Sequence, residues 1–185
     1  MSLVRINDSR IIYINGEITC ELAMEFNIML LAMENESSDN IIIYINSNGG
    51  DVSAGLSMID TMNLIRCDVE TVCVGMAASM GAMILMNGKK GLRRILPHSE
   101  VLIHQPLGSL NGILQATDIE ILAKTVLRKR DALYRIIHEC TGQTIKKISE
   151  DCERDYTMNA EEALAYGIVD DIICNHKNEN LKKTI

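Results

Sequence analysis

Three short stretches of the chain hold residue types able to do nucleophilic chemistry. Gly75-Met76-Ala77-Ala78-Ser79-Met80-Gly81 follows an apolar β-rich run and opens a helical one, so Ser79 stands on a bend of small residues. A hydroxyl there is exposed, and the first N–H groups of the next helix lack intrahelical partners, which suits an oxyanion. The pattern is Ala-Ala-Ser-Met-Gly rather than G-x-S-x-G, and a plain N-cap serine is the commoner reading of such a position. His104 ends a second buried run, Val101-Leu102-Ile103, and precedes Gln105-Pro106, where the chain must turn. In parallel α/β sheets reactive groups gather at the carboxyl ends of strands, which is where both Ser79 and His104 fall. A serine needs a nearby base, although a histidine so placed could equally be held only by hydrogen bonds. Asn46-Ser47-Asn48-Gly49-Gly50 ends a third buried run. Its glycines let backbone amides approach a ligand, or simply make a tight strand-to-helix turn. It lacks a P-loop lysine, so phosphate is not indicated. A carboxylate to orient His104 could be Asp118, Asp131, Asp151, Asp155 or Asp170; residue types alone do not choose. His98, His138 and His176 read as surface or packing residues, and no His-x-x-x-His or carboxylate pair indicates a metal.

The elements that must position these residues alternate in period. Strands are expected at Ile11–Ile14, Ile41–Ile45, Glu70–Val74, Arg93–Leu96 and Val101–Ile103, the second read as buried on both faces. Helices are expected at Glu21–Met33, Val52–Ile65 and Ser79–Met86. That β-α-β-α-β order predicts an α/β fold with a mostly parallel sheet. A longer helix is expected from Thr117 to Cys140, about 36 Å at 1.5 Å per residue. Its stripe is Ile119, Leu122, Val126, Leu133, Ile136 and Ile137, with Ile121 and Leu127 beside it. Such length suits a helix that protrudes toward another subunit better than one crossing the back of the sheet. A short helix, Ala160–Tyr166, is capped by Asn159 and stopped by Gly167, and a last strand is expected over Ile168–Cys174.

Composition narrows the function classes. The chain has 185 residues, 47% of them hydrophobic, which predicts a single packed domain and excludes disorder. A net charge of −7 argues against nucleic acid as a partner. Aromatic residues make up 3%, so the core must rest on Ile, Leu, Val, Ala and 11 Met. Six cysteines without C-x-x-C spacing read as free thiols in a reducing cytoplasm. No apolar run is long enough for a membrane span.

Taken in order, Tyr44-Ile45-Asn46-Ser47-Asn48-Gly49-Gly50, Gly75-Met76-Ala77-Ala78-Ser79-Met80-Gly81-Ala82 and Ile103-His104-Gln105-Pro106-Leu107-Gly108 resemble the signature blocks of the Clp protease proteolytic subunit family. Thr141-Gly142-Gln143 and Glu153-Arg154-Asp155 extend the likeness, which runs from about Arg10 to Ile173. The resemblance implies a ClpP/crotonase-like spiral of ββα units forming one domain over residues 1–175, with a protruding handle (about 107–140) and a polar tail (176–185). It implies a serine endopeptidase with Ser79 as nucleophile, His104 as general base and Asp155 as the orienting carboxylate. Gly50 and Met80 would give the oxyanion-hole amides. Peptide would add as a strand between Gly49-Gly50 and Pro106-Leu107. Glu153 and Arg154 would lie near the contact between two stacked heptameric rings. The chain itself would carry no cofactor or metal, ATP being used by a separate Clp-type AAA+ unfoldase that delivers unfolded polypeptide.

Several positions depart from the family pattern. Fewer residues precede Arg10-Ile11 than members usually carry. Ile42, Leu64 and Arg94 stand where aromatics usually line the pocket that receives the unfoldase, although Tyr44 is kept. A charge at 94 would be costly there unless it snorkels. Asn48 replaces a usual Pro, Glu100 a usual Arg, and the loop after His104 is longer. These departures motivate an alternative, a variant ring subunit that needs a paralogous proteolytic subunit for assembly, activity or docking. An acyl-CoA enzyme of the crotonase type is the non-proteolytic competitor, but it would leave Ser79, His104 and Asp155 without a common purpose.

Overall fold

The computed structural model describes residues 2–7, 9–108 and 115–173. The longer loop expected after His104, the strand expected to reach Cys174 and the polar tail fall wholly or partly outside them. The elements run β1 (Leu3–Arg5), β2 (Ile11–Ile18), α1 (Cys20–Glu36), β3 (Ile41–Gly50), α2 (Val52–Leu64), β4 (Val69–Ala78), α3 (Met80–Met86), β5 (Arg93–Ile95) and β6 (Glu100–Ile103). Then follow α4 (Ala116–Thr141), α5 (Ile145–Asp151), β7 (Tyr156–Met158), α6 (Ala160–Tyr166) and β8 (Asp171–Ile172).

The β-branched run at Ile41–Ile45 becomes the middle of the sheet. Ile41, Ile43 and Ile45 are completely buried, while Ile42 and Tyr44 on the other face are only half-buried. The expectation of burial on both faces is therefore corrected. Helices α1, α2 and α3 cover one face, and on the other Tyr13 and Tyr44 stack with ring centroids 6.2 Å apart. Burying each large aliphatic or aromatic side chain of the inner face is worth roughly 1.5–3 kcal/mol, and Phe26, Leu30, Met33 and Met58 join that layer.

β2, β3 and β4 pair in parallel, with β1 antiparallel at one edge. β4 then divides the sheet. Thr71–Cys73 pair with β5, and Met76–Ala78 pair with β6. The division falls at Gly75, whose φ of 80° permits the bend and whose N–H donates to the buried Ser99 Oγ at 2.8 Å. Strand β7 runs antiparallel to β6, and β8 pairs with β5. β8 holds only two residues, because the expected strand from Ile168 begins with the turn that follows α6.

α4 behaves as two halves. Leu133, Tyr134 and Ile137 are buried against α3 and α5, whereas Ile119, Ile121 and Leu127 in the first half are exposed. The helix therefore protrudes, as its length suggested. Among the described residues no helix is long and apolar enough to cross a membrane.

Candidate active site

Ser79 links β4 to α3 with φ 54° and ψ −119°. A non-glycine residue in that region is strained by about 1–3 kcal/mol. Its backbone is pinned from both sides, the N–H donating to Leu102 O at 2.8 Å and the carbonyl accepting from Met83 N at 3.1 Å. The hydroxyl makes no capping bond. The plain N-cap reading is therefore corrected: Ser79 occupies the cap position without doing the cap's work. Met80 opens α3, so its N–H has no intrahelical acceptor.

The glycine turn presses against this bend. A Cβ on Gly49 (φ 90°) would lie 2.6 Å from Ser79 Cβ and 2.8 Å from Ala78 O, so only glycine allows the approach. A Cβ on Gly50 would lie 2.2 Å from Ile18 O. Ile18 pairs with Gly50, and its carbonyl accepts from Asp51 N at 2.8 Å. In a parallel ladder a residue bonds to the neighbours of its partner, so Gly50's own N–H turns away from β2. Gly50 lines a cleft together with Ser79 and His104.

His104 follows the last residue of β6 and is half-buried in the same cleft. The β6–β7 register pairs Ile103 with Tyr156, and one further step sets His104 opposite Asp155. A bond from Gln105 N to Cys152 O at 2.9 Å holds the two segments together beyond the ladder. Asp155 is exposed and does not line the cleft. The backbone thus gathers all three residues, yet no hydrogen bond joins their side chains among those of the described residues.

The other aspartates that the sequence left open are occupied elsewhere. Asp118 accepts from Gln115 N at the start of α4, and Asp131 accepts from Arg130. Asp151 takes Lys147 and the Tyr166 hydroxyl, and Asp170 takes Arg93. Among the described residues, Asp155 is the one of the five without such a partner.

The cleft measures about 390 Å³, in the range of small-ligand sites. Its floor is Gly50, Ser79 and His104; Pro106 and Leu107 form one rim and the α4 residues Leu122, Val126 and Lys129 another. A narrower apolar recess beside Ser79 is lined by Val52, Met83, Ile103, Leu133 and Ile137. Lys129 was not marked by the sequence reading, although it interrupts the apolar stripe of α4 and so left a visible signal. Among the described residues no group of three His, Cys, Asp or Glu side chains gathers as a metal site.

Glu153 and Arg154 are exposed in the turn between α5 and β7. Arg94 lies on the half-open face of the sheet, and its guanidinium pairs with Glu70 at 2.5 Å. Its charge is therefore met by an ion pair rather than set bare in an apolar pocket. Ile42 shares that face half-buried, and Leu64, the last residue of α2, is 73% exposed.

A family model described as Clp protease matches residues 2–176. The ATP-dependent Clp protease proteolytic subunit 2 of Bacillus licheniformis is 49% identical over 170 residues, covering 91% of this chain and 88% of that protein.

Proposed function

The chain belongs to the Clp protease family, and from that premise we propose that Ser79, His104 and Asp155 are the working groups of its serine endopeptidase site. Ser79 Oγ attacks the scissile carbonyl carbon as His104 takes its proton. The new oxyanion is held by the Gly50 and Met80 N–H groups, each such donor being worth roughly 2.7–4 kcal/mol. The C–N bond breaks, and the departing amine takes the proton from His104. Water, deprotonated by His104 in turn, releases the acyl group from Ser79. Asp155 fixes the imidazole tautomer and stabilises the imidazolium. Peptide lies extended between Gly49-Gly50 and Pro106-Leu107, as a strand added to an open edge.

The observation that carries this reading is the Ser79 bend, with its backbone pinned in a strained conformation and its hydroxyl uncommitted in the cleft that His104 shares. A fluorophosphonate is expected to label Ser79, and Ser79→Ala to remove both labelling and peptide hydrolysis by at least about 10⁴-fold. Wild-type protein that stays unlabelled when assembled would defeat the proposal.

The chain works, on this reading, in two stacked heptameric rings, without a cofactor of its own, in the cytoplasm. A separate Clp-type AAA+ unfoldase spends ATP to feed it unfolded polypeptide. One observation favours a second reading, that a paralogous proteolytic subunit is needed: the three catalytic side chains are gathered but not hydrogen-bonded to one another. Assembly with such a subunit would then complete the alignment. Mixing with it should raise the turnover per labelled Ser79, whereas full activity of the lone protein with an unfoldase excludes the requirement.

A further inference from the structure

We propose that Lys129 binds a carboxylate carried by the peptide and thereby makes the cleft selective for acidic chains. The inference rests on the peptidase reading for the nature of the ligand. Its ground is the stripe of α4. Ile119, Leu122, Val126, position 129, Leu133 and Ile136 follow one another at alternating steps of three and four residues. Every member is apolar except Lys129. Leu122, Val126 and Lys129 wall the cleft that holds Ser79 and His104, so the charge stands where packing alone would ask for an aliphatic side chain.

The ammonium has one described partner, the Ser53 hydroxyl at 3.2 Å. An ammonium has three donors, so two are left for a ligand. No carboxylate lies within ion-pair reach of it among the described residues. The cleft's own acid, Asp51, accepts from Ala54 N at 2.7 Å as the cap of α2. The segment 109–114, which follows the cleft rim in sequence, contains no Asp or Glu. A half-buried cation without a counter-ion is unfavourable, and a carboxylate brought by the peptide relieves it. The apolar Leu122 and Val126 beside it favour a carboxylate flanked by apolar residues.

The carboxylate has two sources, an Asp or Glu side chain or the peptide's own C-terminus, and the test separates them. Binding is read by fluorescence anisotropy on the Ser79→Ala protein, which needs no turnover. The probes are a neutral C-amidated peptide, the same peptide with one Glu placed at successive positions, and the neutral peptide with a free C-terminus. At least one carboxylate probe should bind about fivefold more tightly than the neutral amide, as for a part-exposed charge pair. Which probe gains identifies the source. Adding Lys129→Met should erase the gain, and Lys129→Glu should transfer it to a Lys-containing probe. Ser53→Ala should keep it, because that change removes the tie between α4 and α2 but not the charge. If neither carboxylate probe gains, or if the gain survives both changes at 129, the inference falls. Failure of the peptidase reading shows separately, as absent fluorophosphonate labelling of the wild-type protein.

Discussion

Two neighbourhoods at opposite ends of β4 treat their charged groups in opposite ways. Arg93, on β5, is 2% exposed and grips Asp170 through Nε at 2.8 Å and a second nitrogen at 2.5 Å. Its remaining nitrogen donates to Cys140 O, and Asp170 also accepts from Gly91 N and Arg93 N. Every arm of that cluster ends on a partner within the chain. At the far end of β4, Ser79, His104 and Asp155 are brought to one place by strands just as firmly hydrogen-bonded, yet among the described residues their side chains have no such partners. A polar group whose bonding is complete holds structure together. One held in place by its backbone but left incomplete is available to a ligand. Lys129, with one hydroxyl and, among the described residues, no carboxylate, falls on the second side of that division.

The sharpest way to break the contrast is to exchange a carboxylate for its amide in the incomplete cluster. Asp155→Asn keeps the shape and removes the charge proposed to orient His104. It should lower kcat/KM for a peptide by about 10⁴-fold, with the melting temperature unchanged. A loss of less than about tenfold would mean that another group orients His104 and that Asp155 is a surface residue.

That Asp155 needed a structure, or a family, to be picked out has a physical cause. The long central strands and α1, α2 and α4 were legible because their apolar periods span many residues, and α6 because Asn159 and Gly167 mark its two ends. Ser79, His104 and the glycine turn were legible because each ends a run that could be recognised locally. Asp155 depends on β7, three residues of which only Met158 is buried, and which exists because β6 lies beside it. No local pattern announces such a strand. β1 escaped for the same reason. α5 spans seven residues, too few to display a period, and its one signal was Thr144, which caps Lys147 N. Arg93 sits in a stretch read correctly as strand. Its burial follows from Asp170, distant in sequence, and neither residue carries a mark of the other.

Arg93→Met tests the complete cluster. It leaves the Asp170 carboxylate and the Cys140 carbonyl without their cation in a nearly closed site. The expected cost is about 3–5 kcal/mol of unfolding free energy by denaturant titration. Fluorophosphonate labelling of Ser79 should persist wherever the variant remains folded. A cost below about 1 kcal/mol would show that water replaces the guanidinium freely and that the contrast between the two clusters is overdrawn.

The smallest effect concerns acid. Burial raises the Asp170 carboxyl, but hydrogen bonds from the Arg93 side chain and from the Arg93 and Gly91 N–H groups outweigh it and hold it below the ordinary aspartate range. The unfolded chain, with a carboxyl near the usual value of about 3.9, then binds its proton first as pH falls. The stability contributed by Asp170 is therefore complete above that value and is lost as pH drops through the folded one. Glu34 and Glu36, held low by hydrogen bonds from Arg66 and Arg5, lose stability in the same direction. The share belonging to the buried pair is the difference in slope between wild type and Asp170→Asn. The variant should start lower, because Arg93 keeps its burial without its counter-ion, and should fall less steeply below about pH 4. Equal slopes for the two proteins would place the acid sensitivity outside the Arg93–Asp170 cluster.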